Sequence, residues 1–185
     1  MQSAMTQTED MPGLVGDLIR IGVVEAVDLA GATLTAKLGD IVSPAVPWLE
    51  LAGGFRTWCP PTVGEQILLL CPEGDIAHGV ALRGLYSNAF PAPASDGRAR
   101  ILMPDGSTID YDPEGHVLAI TLAGGKLTIN APEGVAISGN VEITGKVDVN
   151  GTVTASDDVV GGGKSLKGHK HSGVQAGSAL SGAPA

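Results

Sequence analysis

The sequence predicts an all-β chain, with a small barrel in its N-terminal half and a slender shaft, shared between three copies, that closes on a metal. Three observations carry that prediction. Glycine supplies 27 of 185 residues while aromatic side chains make up only 3%, a balance that suits thin sheets with tight turns better than one thick core. From Asn140 the chain repeats as NVEITG, KVDVNG, TVTASD, DVVGGG, a six-residue period with Val141, Val147, Val153 and Val159 equivalent and Gly145 and Gly151 closing two units. Shortly afterwards come two histidines one residue apart, His169 and His171.

Taken in order, residues 1–17 are rich in Met, Gln, Thr and acidic side chains and are expected to form a flexible arm. Residues 18–87 alternate apolar runs with turn residues, which predicts a small barrel with strands near Leu18–Asp28, Ala32–Leu38, Ile41–Val46, Gln66–Cys71 and Gly79–Tyr86. The Pro-rich stretch 88–97, containing Phe90-Pro91-Ala92-Pro93, reads as a stiff linker. Residues 98–167 form the shaft. Its upstream part follows the grammar of the repeats more loosely, with Leu118, Ile120 and Leu122, then Gly124-Gly125, then Leu127 and Ile129, then Ala131-Pro132-Glu133-Gly134, then Val135 and Ile137. Each is a short alternating strand followed by a turn. Residues 168–185 form the apex and tail, where the small residues after His171 (Ser172, Gly173, Ala176, Gly177, Ser178, Ala179) suit a narrow tip.

The shaft has a burial problem. Six is even, so the two faces of each strand persist from repeat to repeat. One face is β-branched and apolar; the other carries Thr128, Glu142, Thr144, Lys146, Asp148 and Thr152. Each strand offers only two or three inward side chains, with no helix to cover them. The periodic part is also too short to wind a β-helix from one chain, with coils of roughly 18 residues in several stacked turns. Three copies around a common axis would pool their apolar faces into one narrow core and leave few open edges. With strands about 4.8 Å apart and about eight to ten passes per chain, the shaft would be on the order of 50 Å long.

Threefold symmetry also completes the histidine pair. On an extended strand His169 and His171 point to one side and Lys170 to the other. Two imidazoles from each of three chains give six nitrogens, a set suited to octahedral iron, nickel or cobalt rather than to zinc with about four protein ligands. Chain ends fray. Apparent metal-site energies of order 10 kcal/mol or more exceed the roughly 1.5–3 kcal/mol of one buried apolar side chain, so a metal joining three ends would act as a clasp.

The run from Val141 to Val160, followed by Ser165-Leu166-Lys167-Gly168-His169-Lys170-His171-Ser172-Gly173-Val174-Gln175, resembles the C-terminal half of the central spike proteins of contractile-tailed phages (the baseplate assembly protein V family) and of R-type bacteriocins. Upstream, Pro47-Trp48-Leu49, Arg56-Thr57-Trp58, Pro60-Pro61-Thr62-Val63-Gly64-Glu65-Gln66 and Gly79 to Asn88 resemble that family's OB-type domain, and Met103-Pro104-Asp105-Gly106-Ser107 to Asp112 the start of its β-helix. The resemblance implies an OB-fold domain over 18–87 that attaches to a baseplate hub protein. It further implies a homotrimer whose intertwined trimeric β-helix ends in one iron ion per trimer, held by His169 and His171 of all three chains. It places the protein at the tail baseplate tip of a virion, or in a bacteriocin particle, as a spike driven through the bacterial outer membrane when the sheath contracts.

Other classes fit less well. The net charge of −9 and the lack of a basic stripe oppose nucleic acid as a partner. No apolar run approaches the roughly 18 residues of a membrane span, and Met1 to Asp10 is polar and acidic, unlike a secretion signal, so the chain is expected to stay in the host cytoplasm until assembly. Cys59 and Cys71 read as small core residues, and Trp48 and Trp58 as packing residues of the barrel or trimer interface. His78 and His116 fall in turns, and Asp110, Asp112 and Glu114 alternate as a solvated face rather than as paired glycosidase carboxylates. An enzyme with a cupin-type metal centre needs a third histidine and a glutamate, and none follows His171. A trimeric tail fibre or adhesin binding surface sugar needs a distal receptor domain. No catalytic residue is assigned.

Overall fold

The computed structural model describes residues 16–170 together with Ser172, Gly173 and Gly177; the expected arm therefore lies almost wholly outside the described residues. The chain divides into two compact units, one up to Ile129 and one from Asn130. The first holds two sheets. Strands β1 (Ile19–Asp28), β2 (Thr33–Leu38), β3 (Ile41–Val42), β4 (Val46–Pro47), β5 (Gln66–Leu70) and β6 (Val80–Leu85) form the larger, ordered β3-β2-β1-β5-β6 with β4 also on β2. The parallel bridge between Trp48 and Ala81, reinforced by the Leu49 N–H donating to the Ala81 carbonyl at 2.9 Å, joins the two ends of this sheet and closes a barrel.

Alternation decides the core. Leu34, Ala36 and Leu38 point inward from β2, Ile67 and Leu69 from β5, and Val24, Val46, Trp48, Cys71 and Ala81 complete the cluster. Gly22 sits where β1 crosses β2: a Cβ there would lie 2.7 Å from Leu38 Cδ2 and 3.1 Å from the Lys37 carbonyl. The bulge between Val24 and Ala26 gives β1 the bend that lets it pair with β5 through Ile19–Val23 and with β2 through Val23–Asp28.

The expected strand Ile41–Val46 is interrupted. Pro44 has no N–H for a ladder, and the Ser43 hydroxyl takes over locally, accepting from the Ala36 N–H at 2.9 Å and donating to the Pro44 carbonyl at 2.8 Å. The expectation that both cysteines are core residues holds for Cys71, which is buried, but not for Cys59, which is exposed. The reason is a polar clamp on the loop between β4 and β5. Arg83 holds Glu65 in a two-pronged contact, Nε to Oε1 at 2.9 Å and Nη2 to Oε2 at 3.1 Å, and its other nitrogen donates to the Cys59 carbonyl. Glu50 accepts from the Cys59 N–H at 3.0 Å and from the Thr57 hydroxyl. With its backbone fixed on both sides, Cys59 turns its thiol to solvent. The Thr57 hydroxyl, then the Cys59 N–H and the Arg83 charge, hold the Glu50 carboxyl below its usual range against the opposing effect of burial.

The smaller sheet comprises β7 (Ala99–Leu102), β8 (Thr108–Asp112) and β9 (Val117–Thr121), antiparallel in that order. Directly opposed residues share a face, so the register aligns Ala99, Tyr111 and Leu118 with Ile101, Ile109 and Ile120 on one side, and Arg100, Asp110 and Ala119 on the other. Asp110 is not part of a solvated row. It is 9% exposed, paired with Arg100 at 2.5 Å, and Arg100 also donates to the Pro93 carbonyl at 3.1 Å, so the preceding segment covers the pair. Asp112 accepts instead from the Glu114 and Gly115 N–H groups, shaping the turn into β9.

Beyond β9 the expected short strands at 127–129, 135–137 and in the repeats are not formed within the chain. The next strands are β10 (Val160–Gly161) and β11 (Lys164–Ser165). Gly139, Gly145 and Gly151 nonetheless recur every six residues with φ of 136°, 133° and 142°, values open to glycine and strained for other residues. A strand needs a neighbour about 4.8 Å away, and one copy does not supply it.

Replacing Arg83 with Met should lower the unfolding free energy by about 2 kcal/mol, the scale of lost charged hydrogen bonds. Arg83→Lys should recover only part of it, because an ammonium cannot make the two-pronged contact. Chemical denaturation followed by Trp48 fluorescence measures both.

Candidate functional site

A two-residue hairpin leads into the expected apex. Gly162 and Gly163, with φ of 55° and 75°, turn β10 into β11 as the type I′ geometry requires, and the Leu166 N–H donates to the Val159 carbonyl at 2.9 Å. Asp158 ties the returning chain down: its Oδ1 accepts from the Val159 N–H at 2.8 Å and from the Lys167 N–H at 3.0 Å. The Ser165 hydroxyl first, and then the Lys167 N–H, hold the Asp158 carboxyl below its ordinary value. Lys167 also meets Asp157 at 3.0 Å, an exposed pair that contributes little.

Ser165 then shapes the loop that presents His169. Its hydroxyl accepts from the Gly168 N–H at 2.7 Å, and its carbonyl accepts from the His169 N–H at 3.1 Å. The His169 ring places Nδ1 3.1 Å from the carbonyl oxygens of both Ser165 and Leu166. Carbonyls only accept, so Nδ1 is the donating nitrogen in these contacts. Ligating histidines in metal sites are oriented in the same way, by a ring N–H given to a carbonyl. The donor set at this loop thus fits an imidazole-bound metal. His171 lies outside the described residues. Among the described residues of one chain no group of three or more His, Cys, Asp or Glu side chains could hold a metal ion.

Asp158 and Ser165 are the positions that motif reading passed over. Their signal was present: Asp157-Asp158 interrupts the repeat where Gly145 and Gly151 end earlier units.

Elsewhere, His78 is exposed in a short helical turn and pairs with Asp75 at 2.9 Å, and His116 occupies a turn with φ of 53°. Trp48 is buried in the barrel core while Trp58 is exposed, their rings 5.5 Å apart and tilted by 54°.

Two further surfaces lack a covering layer among the described residues. On the small sheet Ile101, Tyr111, Leu118 and Ile120 are exposed on one face. In the second unit Val135, Ile137, Val141, Ile143, Val147, Val149 and Val153 are all exposed. Among the described residues 124–157, the only backbone-to-backbone hydrogen bond outside regular strands is that from the Gly134 N–H to the Ala131 carbonyl.

Comparison with known proteins falls on both ends of this arrangement. Residues 20–86 match the type VI secretion system/phage-baseplate injector OB domain, which corresponds to the closed barrel, and residues 165–185 match the GpV Apex motif, which begins at the serine that orients His169. The chain is 30% identical over 139 residues to the spike protein of Escherichia phage P2, a match that covers 70% of this chain and 66% of that protein. An all-β chain with an OB barrel, a glycine-punctuated array and this apex motif belongs to the phage baseplate spike family.

Proposed function

We propose that three copies of the chain form a rigid spike at the tip of a contractile tail, fastened at its point by one iron ion and driven mechanically through the bacterial outer membrane. The observation that carries this reading is the array at 124–157: a regular apolar row, exposed throughout, on a backbone with almost no internal hydrogen bonds. Unpaired strands with an apolar face are unstable alone in water. Neighbouring copies would supply both the missing ladder and the missing core. The Ile101, Ile109 and Ile120 face of the small sheet extends the same demand upstream.

At the apex, His169 and His171 of each chain would hold the iron, whose role is to cross-link three chain ends. The Ser165 and Leu166 carbonyls orient the His169 ring, and Asp158 fixes the loop that carries them. The chain acts by transmitting force rather than by catalysis. The barrel, with its clamped loop, would attach the spike to a hub protein in the baseplate.

Light scattering on the purified protein should give a trimer, and elemental analysis close to one iron per three chains. A stable monomer at micromolar concentration overturns the shared shaft; one metal per chain overturns the clasp. His169→Ala should abolish iron binding while leaving the trimer intact, since the valine row lies elsewhere. Asp158→Ala should leave assembly unchanged and speed iron loss to a chelator by roughly tenfold, the lower end of effects seen when groups supporting a ligand are removed.

A further inference from the structure

The spike reading leaves the chemistry of one residue in the array unused. Asparagine stands at Asn88, Asn130, Asn140 and Asn150, exposed at each; Ala89, Ala131 and Val141 follow the first three, and Gly151 follows the last. An asparagine amide is thermally labile because the nitrogen of the next peptide unit can reach its side-chain carbon, and a side chain on that next residue obstructs the approach. At Gly151 nothing obstructs it: there is no Cβ, and no neighbouring atom lies within 4 Å of where one would be. Among the described residues, neither the Asn150 side chain nor the Gly151 N–H makes a hydrogen bond. The two Asp-Gly pairs that could close the same ring are tied down instead. Asp105 accepts from the Ser107 N–H and hydroxyl, both at 2.9 Å, and Asp96 meets Arg98 at 2.7 Å.

We propose that Asn150 modifies itself in a chain whose array is unpaired, and that pairing of the array suppresses the reaction. The Gly151 nitrogen gives its proton to solvent and attacks Cγ of Asn150. The new C–N bond closes a cyclic imide, and the side-chain nitrogen leaves as ammonia. Water then opens the ring at either carbonyl, giving aspartate or, with the backbone rerouted through the side chain, isoaspartate. Asn150 falls in the polar row with Lys146, Asp148 and Thr152, so its amide stays in water whether or not copies assemble. What assembly changes is the backbone: a ladder would hold Gly151 extended, and moving reacting atoms about 1 Å off the productive geometry costs up to about a hundredfold in rate. The suppression therefore rests on the shared-shaft reading, while the reactivity does not. Isoaspartate adds a methylene to the backbone and a negative charge to the row of Asp148. It breaks the period-two alternation on which the apolar row depends, so a converted chain no longer matches its unconverted neighbours.

The test ages the full-length wild type and a Val141→Asp, Val147→Asp variant, whose charges keep copies from pooling the apolar row, in mildly alkaline buffer. Peptide mass mapping with enzymatic isoaspartate labelling follows both; light scattering separates assembled from unassembled chains, and Trp48 fluorescence checks that the barrel is folded. The variant should accumulate acid at residue 150, mostly as isoaspartate, while Asn88, Asn130 and Asn140 change far less. Assembled wild type should convert at least roughly tenfold more slowly, with isoaspartate confined to its unassembled fraction. Asn150→Gln, whose longer side chain closes the ring far less readily, should assemble and stay unmodified. Equal conversion at all the asparagines overturns the proposal, and so does conversion of residue 150 in assembled wild type as fast as in the variant. Wild type that scatters as a monomer and converts quickly at residue 150 sinks the shared shaft while supporting the reactive site.

Discussion

Everything in the second unit depends on one deficit: residues 124–157 cannot satisfy their own backbone. In the barrel each strand finds partners within the chain, so the apolar alternation of β2 and β5 turns into a dry cluster around Leu34, Ile67 and Leu69. In the array the same alternation finds nothing to pair with, and Val141, Ile143, Val147 and Val149 stay in water. The two halves follow one local rule and differ only in where the next strand comes from. Backbone N–H and C=O groups are nearly always paired when buried, so any partner that buries the row has also to complete the ladder.

The barrel shows a different solution to a neighbouring problem. A long loop crosses from β4 to β5 with few apolar anchors of its own, and Arg83 fixes it by reaching Glu65 and the Cys59 carbonyl at once, while Glu50 secures the other side. These side chains are only 12–23% exposed, so the clamp is largely shielded from water and holds the loop by charge and geometry together. It fixes the path of the loop on either side of Cys59.

What the sequence made legible, and what it hid, follows from range. The five barrel segments were readable because alternation and turn residues are local signals; only the Ser43-Pro44 break modified them. The outward turn of Cys59 was not readable, because it is imposed by Arg83, 24 residues away. Nor was the burial of Asp110, which depends on Arg100 and on the Pro93 carbonyl of the preceding segment. At the apex the histidine spacing singled out His169 as a candidate, but the orientation of its ring depends on how the loop places two carbonyls, and the contacts of Asp158 depend on a hairpin closing back on it. Spacing names candidate groups; the backbone path decides which atom of each is presented.

The glycines at 139, 145 and 151 have one more consequence. Within one chain no neighbouring atom lies within 4 Å of where their side chains would begin, so within the chain it is conformation that reserves these sites for glycine. A chain punctuated this way can gain or lose a whole repeat without altering any face, turn or pairing in the repeats on either side. Descendants of such a gene could therefore lengthen or shorten the structure in fixed increments by simple duplication or deletion, while the barrel and the apex stay unchanged.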